Sequence, residues 1–448
     1  MLIKNAKIIT WGLENQILED CSLWIESGKI KQILSDSQLK DSPMDEETID
    51  AHGQYVMPGN ICAHTHFYGA FSRGMSLNGN PPQNFPEILQ RLWWPLDKSL
   101  DPKSVYLSAL VCIIDAIQHG TTTLFDHHAS QHSIPGSLDL VAQAVLESGV
   151  RADLCYEVTD RDGERAALEG IAENLRFIQT ARTNKESQGL IAAHFGLHAS
   201  LTLSEKTLEM CRQSVTDETG FHIHAAEHTV DEYDSIDKSG HRVIDRLNKH
   251  GILGKNTIVA HGVHIDSHEV ELIKQSGTWL SHQPRSNMNN AVGISDVESW
   301  LRLGVKICLG NDGFSNSMWD EWKTCYLEHK SWNRDPRRMG ADKIVQMAIQ
   351  NNGLLASSSF GGLKIGTIEP GATADIIFVD YKPFTELIPG NLPWHIIFGF
   401  RESMITSTMV NGKFLMLDRK FTTLDVEKII ADARQSSKEV WQRYRQMN

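Results

Sequence analysis

Two histidines two residues apart, His64 and His66, sit in the apolar run PGNICAHTHFYGAFSRG. On a β-strand that spacing aims both rings at one face. Neutral imidazole is the commonest protein ligand for a divalent transition metal, so one rigid strand carrying two of them offers half of a tetrahedral site. In a chain with 20 histidines a single His-x-His proves nothing, and the remaining ligands must come from elsewhere. Polar residues recur at the ends of further short apolar segments: His198, then His224 with Glu227, His261, His282 and Asp312. His64, His66, His224 and Asp312 together supply three nitrogens and one oxygen, a set suited to one Zn2+, or Fe2+, with a position left open for water. Glu227, three residues beyond His224, is placed to act as a general acid and base. Asp312 can hold the metal through one oxygen and take a proton with the other, and His261 can orient the water or the oxyanion that forms. His222 shares the side of His224 but lies one layer deeper, which makes it a supporting or core residue.

Other metal and phosphate motifs fail on spacing. There is no Pro-Cys-x-x-Cys of the short zinc deaminases, His268-Glu269 is not completed to His-Glu-x-x-His, and Gly251 to Lys255 is not a phosphate loop.

These residues need a scaffold that gathers strand ends hundreds of residues apart. Residues 1–57 read as short strands and turns. From about residue 101 helix and strand alternate, beginning with Asp101-Pro102 as a helix cap and first turn. Thr202 and Glu205 read as a capping box, 231–250 as one helix, 267–276 as another, and Asp296 as a cap. Short β-branched strands near residues 61, 122, 152, 191, 221, 257, 278 and 305 are each separated by helix, as parallel strands must be. Eight such units predict an α/β fold, a closed (β/α)8 TIM-like barrel over 58–360, whose active site lies at the C-terminal strand ends. Sheet-like texture returns after 360, so 1–57 and 361–423 are expected to form one small β-sandwich beside the barrel, followed by a terminal helix over 424–448.

Lys+Arg 43 against Asp+Glu 56 leaves a net charge of −13, which argues against nucleic acid or an anionic membrane as partner. Seven scattered cysteines without Cys-x-x-Cys suit a reducing, cytoplasmic setting. No stretch has the apolar length of a membrane span.

The runs PGNICAHTH, HASLTLS, HIHAAE, VAHGVHI, SHQPRSNMNNAVG and LGNDG, in that order, resemble the amidohydrolase superfamily in its aminohydrolase and chlorohydrolase branch. The resemblance implies His64, His66, His224 and Asp312 as metal ligands, Glu227 and His261 as catalytic groups, and His198 as a substrate contact. Binuclear relatives carry a bridging lysine after the fourth strand; IAAHFGLHAS has none, so one metal is expected. HFYGAFSRGM, NFPEILQRLWWPLD, CYEVTDRDG and LGNDGFSNSMWDEWK further resemble a bacterial SsnA-type group associated with purine and selenium-linked catabolic gene clusters. Arg73, Trp93, Arg285 and Asn287 join His198 as candidate substrate contacts, with Trp93 and Trp94 placed on a loop where they can stack on a ring.

The expected activity is hydrolytic deamination of a small purine- or pterin-like heterocycle by a homo-oligomer. Opening of a cyclic amide or ureide would use the same groups, and a catalytically silent barrel with an assembly role is the rival from another class.

Overall fold

The computed structural model describes residues 1–447 except 13, 36–37, 39–46, 78, 185–186, 188 and 217. The chain opens with β1 (Leu2–Ile9), β2 (Ile17–Glu26), β3 (Lys29–Ser35), β4 (Thr48–Asp50) and β5 (Tyr55–Pro58). The barrel strands follow as β6 (Asn60–Thr65), β7 (Thr121–His128), β8 (Arg151–Tyr156), the split pair β9 (Ile191–Ala193) and β10 (Phe195–Ala199), β11 (Phe221–Ala225), β12 (Ile258–His261), β13 (Trp279–His282) and β14 (Lys306–Leu309). Counting the split pair once, these are the eight strands that the alternation predicts. Apart from the entry of β14 and the edge of β9, their residues are buried. Strands covered on both faces carry continuous apolar runs, which is why NTIVAH lacks alternation, whereas VRADLCY alternates because Arg151 and Asp153 are buried against Asp375 and His194.

All neighbouring barrel pairs are parallel. A bridge from Val158 to Leu197 joins the halves, and one from Thr65 to Asp312 closes the ring. Closure depends on a glycine: a Cβ on Gly310 would lie 2.8 Å from the His64 nitrogen, so only a bare backbone lets the end of β14 approach β6 this closely. The helix caps explain several boundaries. Asp101 and Ser104 form a reciprocal box before Pro102–Gln118, and Asp266 and Glu269 form another before Ser267–Ser276.

Three expectations shift by local chemistry. Ser204, not Thr202, caps Glu205–Gln213, because Thr202 closes a short 3-10 turn and turns its hydroxyl to His198. The helix read over 231–250 is two, Thr229–Ser239 and Val243–Lys249, divided at left-handed Gly240. Asp296 makes no capping bond and pairs instead with Arg338 at 3.2 Å.

The chain ends meet in one β domain, completed by β15 (Ile376–Val379), β16 (Ile405–Val410), β17 (Lys413–Leu417) and β18 (Lys420–Phe421). Among the described residues its nine strands are hydrogen-bonded into a single sheet in which β5 pairs with both β1 and β15. The two-residue period decides its packing: Ile376 and Phe378 join the sheet's own core with Ile3 and Ile8, while Ile377 and Val379 turn to the barrel core. Arg151 on β8 donates to both oxygens of Asp375 at 2.9 and 3.1 Å, a buried clamp between barrel and sheet. A helix at Leu392–Phe398 interrupts the sheet-like segment, and Val426–Met447 forms the helix expected at the end. No helix among the described residues is long and apolar enough to cross a membrane.

Candidate active site

The register of β6 and β14 sets the heart of the site. Asp312 and Asn311 both donate backbone N–H to the His64 carbonyl at 3.0 Å, and the His66 amide donates to the Asp312 carbonyl at 3.3 Å. Asp312 is therefore hydrogen-bonded to both sides of the His-x-His pair. Three residues past or at strand ends adopt left-handed backbone, Ala226 (φ 52°), His261 (φ 74°) and Asp312 (φ 57°), a conformation that L-residues hold only when surrounding structure enforces it.

The histidine tautomers can be read from their partners. His66 Nδ1 lies 2.6 Å from the His127 carbonyl and His224 Nδ1 lies 2.7 Å from the His198 carbonyl, so each ring donates there and carries a lone pair on Nε2. Those two Nε2 atoms face each other at 3.1 Å, with Asp312 Oδ1 3.1 Å from His66 Nε2. His64 Nε2, 3.8 Å from the same oxygen, is buried with no hydrogen-bond partner among the described residues. Two imidazole lone pairs, an unpartnered imidazole nitrogen and a carboxylate converge there, a donor set that fits a divalent cation. Burial and neighbouring imidazoles push His64 and His224 well below the ordinary histidine range, the neutral form a metal needs. His66 moves the other way: burial opposes it, but Asp312 and Glu157 raise it to about 9, so in an empty site a proton competes for the cation's place. His222 supports from below, its Nε2 2.9 Å from His64 Nδ1.

Around this cluster lies a cavity walled by His66, His198, His224, Glu227, His261 and Asp312 on its polar side and by Tyr68, Phe85, Leu89, Trp93 and Leu201 on the other. An apolar, aromatic wall facing a few convergent polar groups is the mixture of a small-molecule site. Glu227 lies 3.5 Å from His261 Nε2 and accepts from Asn290 at 3.1 Å. Burial pushes its carboxyl up to about 7, with Asp312 adding to the rise and His261 opposing it. Asp312 stays well below the carboxylate range, because His66 and His261 outweigh burial. Its Oδ2 accepts from Ser286.

The remaining candidate contacts divide. Trp93 reaches the cavity, its ring edge seated on Gly69 and Gly313, where added Cβ atoms would come within 3.3 and 3.2 Å of it. Trp94 turns away beneath the Arg161 guanidinium at 5.0 Å. Both lie on a helical run from Phe85 to Lys98 with a π turn at Leu89–Trp93, not on a loop. His198 stands on the wall, whereas Arg73, Arg285 and Asn287 do not. Arg73 is largely exposed and 3.9 Å from Asp115, over a neighbouring cleft. Arg285 is consumed by Glu321, Ser315 and Ser317. Asn287 is fully buried, 2.9 Å from His261 Nδ1, and so aims a wall residue instead of forming the wall.

Two groups went unnoticed in the sequence. His127, next to last in β7, donates Nε2–H to the His222 carbonyl at 3.0 Å, and Glu157 follows β8, its Oε1 3.3 Å from Nδ1 of both His66 and His127. Although burial raises it, Glu157 is held well below the carboxylate range by His127 and His198. The signal was present, since both are polar residues at the end of an apolar strand, the same rule that found His224 and His261.

The Amidohydrolase family model matches residues 55–415. The chain belongs to the amidohydrolase family. It is 30% identical over 446 residues to 5'-deoxyadenosine deaminase of Methanosarcina barkeri, covering 98% of each chain. It is 33% identical to 5-methylthioadenosine/S-adenosylhomocysteine deaminase of Thermococcus sibiricus, over 93% of this chain and 94% of that one. The fold matches a crystal structure of an adenosine deaminase from Xanthomonas campestris with bound zinc at TM-score 0.84 and 22% identity, over 98% of each chain. As an amidohydrolase it is a metal-dependent hydrolase acting on carbon–nitrogen bonds, and its histidine cluster suits a divalent ion.

Proposed function

We propose that this amidohydrolase deaminates a purine-like heterocycle with one zinc ion held by His64, His66, His224 and Asp312. The observation that carries the reading is the set of opposed lone pairs at 3.1 Å beside a carboxyl poised at about 7. Full-length similarity to deaminases of adenosine derivatives supports it. A bound divalent cation supplies an activated water and Lewis acidity. The protein's own groups do the rest. Asp312 Oδ2 takes a proton from the attacking water. Glu227, protonated near neutrality, gives its proton to the ring nitrogen beside the amino-bearing carbon and then takes the proton of the new hydroxyl, while the proton held by Asp312 passes to the amino group, which leaves as ammonia. His261, aimed by Asn287, hydrogen-bonds the oxygen that adds to the ring. Trp93 and Tyr68 hold the flat face of the substrate, and His198 meets its edge.

The finer resemblance, to the SsnA-type group and to purine catabolism, belongs to the same proposal, as do a cytoplasmic location and a homo-oligomeric state. Exposed Trp394 and Phe398 lie beside Tyr326, whose ring is 5.7 and 5.6 Å from them, an apolar patch suited to a second copy. The test is ammonia release from zinc-loaded protein on a panel of aminopurines and their nucleosides, with ring absorbance followed in parallel. Ammonia with the ring intact is expected. Loss of ring absorbance without ammonia would instead mean ring opening.

A further inference from the structure

One strand-end histidine takes no part in the catalytic cluster. His282 closes β13, but it is not among the cavity walls, and its ring meets the helix Met318–Asn333 that packs outside the barrel. Cys325 and His329 stand one turn apart on that helix, hence on one face. The Nε2 atoms of His282 and His329 are 3.2 Å apart, and a ligand atom from each of the three residues lies within 4.8 Å of the others. All three side chains are buried, and Cys325 is a free thiol. Bonds of about 2.0–2.1 Å in a tetrahedral zinc site set two ligand nitrogens about 3.3 Å apart, so the imidazoles already stand at ligand spacing. A hydrogen bond between the rings accounts for the same distance but leaves His282 incomplete, since its Nδ1 is buried with no partner among the described residues. Burial keeps both rings neutral, His282 well below the ordinary histidine range and His329 at about 4. Glu328, next to His329 in sequence and 8% exposed, lines a surface cleft with His264 and Trp332, and its Oε2 is buried with no partner among the described residues. Burial and Glu321 push this carboxyl up to about 8, and a cation beside it would favour its charged form.

We propose that His282, Cys325 and His329 form a second metal site, one that takes zinc through a thiolate and two imidazoles and is reached from the cleft past Glu328. Thiolate with neutral imidazole is a donor set for zinc, whereas the catalytic cluster offers imidazole and carboxylate. The thiol, kept protonated by burial and Glu328 before an ion enters, gives its proton to water as the sulfur–zinc bond forms. None of the three ligands walls the cavity, so this ion does not touch substrate. It joins β13 to the helix that carries Glu321, the partner of Arg285, and so braces the segment Pro284–Asn289 from which Asn287 aims His261. The site is independent of which reaction the cavity performs.

Cobalt(II) distinguishes the two sites, because only thiolate ligation gives a strong sulfur-to-cobalt charge-transfer band in the near ultraviolet. The full chain, exchanged to cobalt under reducing conditions, is expected to hold two ions and to show that band. His64→Ala should lose one ion and keep the band. Cys325→Ser should lose one ion together with the band. His329→Gln should weaken cobalt binding at this site by more than about 100-fold, beyond the effect of a residue that only supports a ligand. In His64→Ala, added zinc should also raise the melting temperature, since an ion bound only by the folded state stabilises it. Absence of the band in the unaltered protein, or its persistence in Cys325→Ser, overturns the proposal. If Cys325→Ser does not fold, His329→Gln decides: a band with unchanged cobalt affinity there overturns it as well.

Discussion

The floor and the rim of the barrel mouth are built by different means. On the floor, His64, His66, His222, His224 and Asp312 sit on or directly after strands, and the β6 and β14 ladders fix their spacing. A strand offers a side chain only two directions, so type and position together nearly determine where a floor residue points. On the rim, Arg73, Trp93, Trp94 and Arg285 lie on segments between strands, and their directions are set by distant partners such as Asp115, Gly313, Arg161 and Glu321. Proximity to the mouth in sequence therefore says little about reach into it.

The largest test of that contrast removes a floor ligand. His64→Ala should lose bound zinc and reduce turnover below detection, with metal content read by mass spectrometry. Glu227→Gln should keep the metal and lower kcat by roughly 10^2- to 10^4-fold, the range for a positioned acid–base group. Its pH profile follows from the raised carboxyl. The proton is present below about 7 and lost above it, so kcat/KM for the unaltered protein should fall as pH rises through that value, and the Glu227→Gln residual rate should not show that limb. His222→Gln, beneath His64, should weaken metal binding by roughly 10- to 100-fold. On the rim, Arg285→Ala should leave KM within about twofold yet cost about 3 kcal/mol of stability, at the low end for a broken buried pair because Glu321, pushed up to about 7, can take up a proton. Arg73→Ala should change activity and melting temperature least, within about 0.5 kcal/mol. A large KM effect at Arg285 or Arg73 would break the contrast.

The barrel was legible because helix and strand alternate with clean caps at Asp101 and Asp266. The floor was legible because its residues obey the strand rule, and His127 and Glu157 would have followed from applying it to β7 and β8 as well. What the sequence hides is orientation off the strands: Asn287 turns inward to His261, and Arg285 is drawn to a glutamate on a later helix. The continuity of the terminal sheet was hidden for the same reason, since β5 chooses β1 and β15 by contacts that no local pattern encodes.

That sheet bears on how the chain is made. Val56 of β5 pairs with Phe378 of β15, so a strand synthesised near the start waits for the whole barrel before its neighbour leaves the ribosome. Until then an unpaired β-edge stands open, a template for intermolecular pairing. Asp312 precedes β15, so the catalytic cluster can close around its ion while the sheet is still incomplete, and zinc supply during synthesis should favour yield of the folded protein over aggregate.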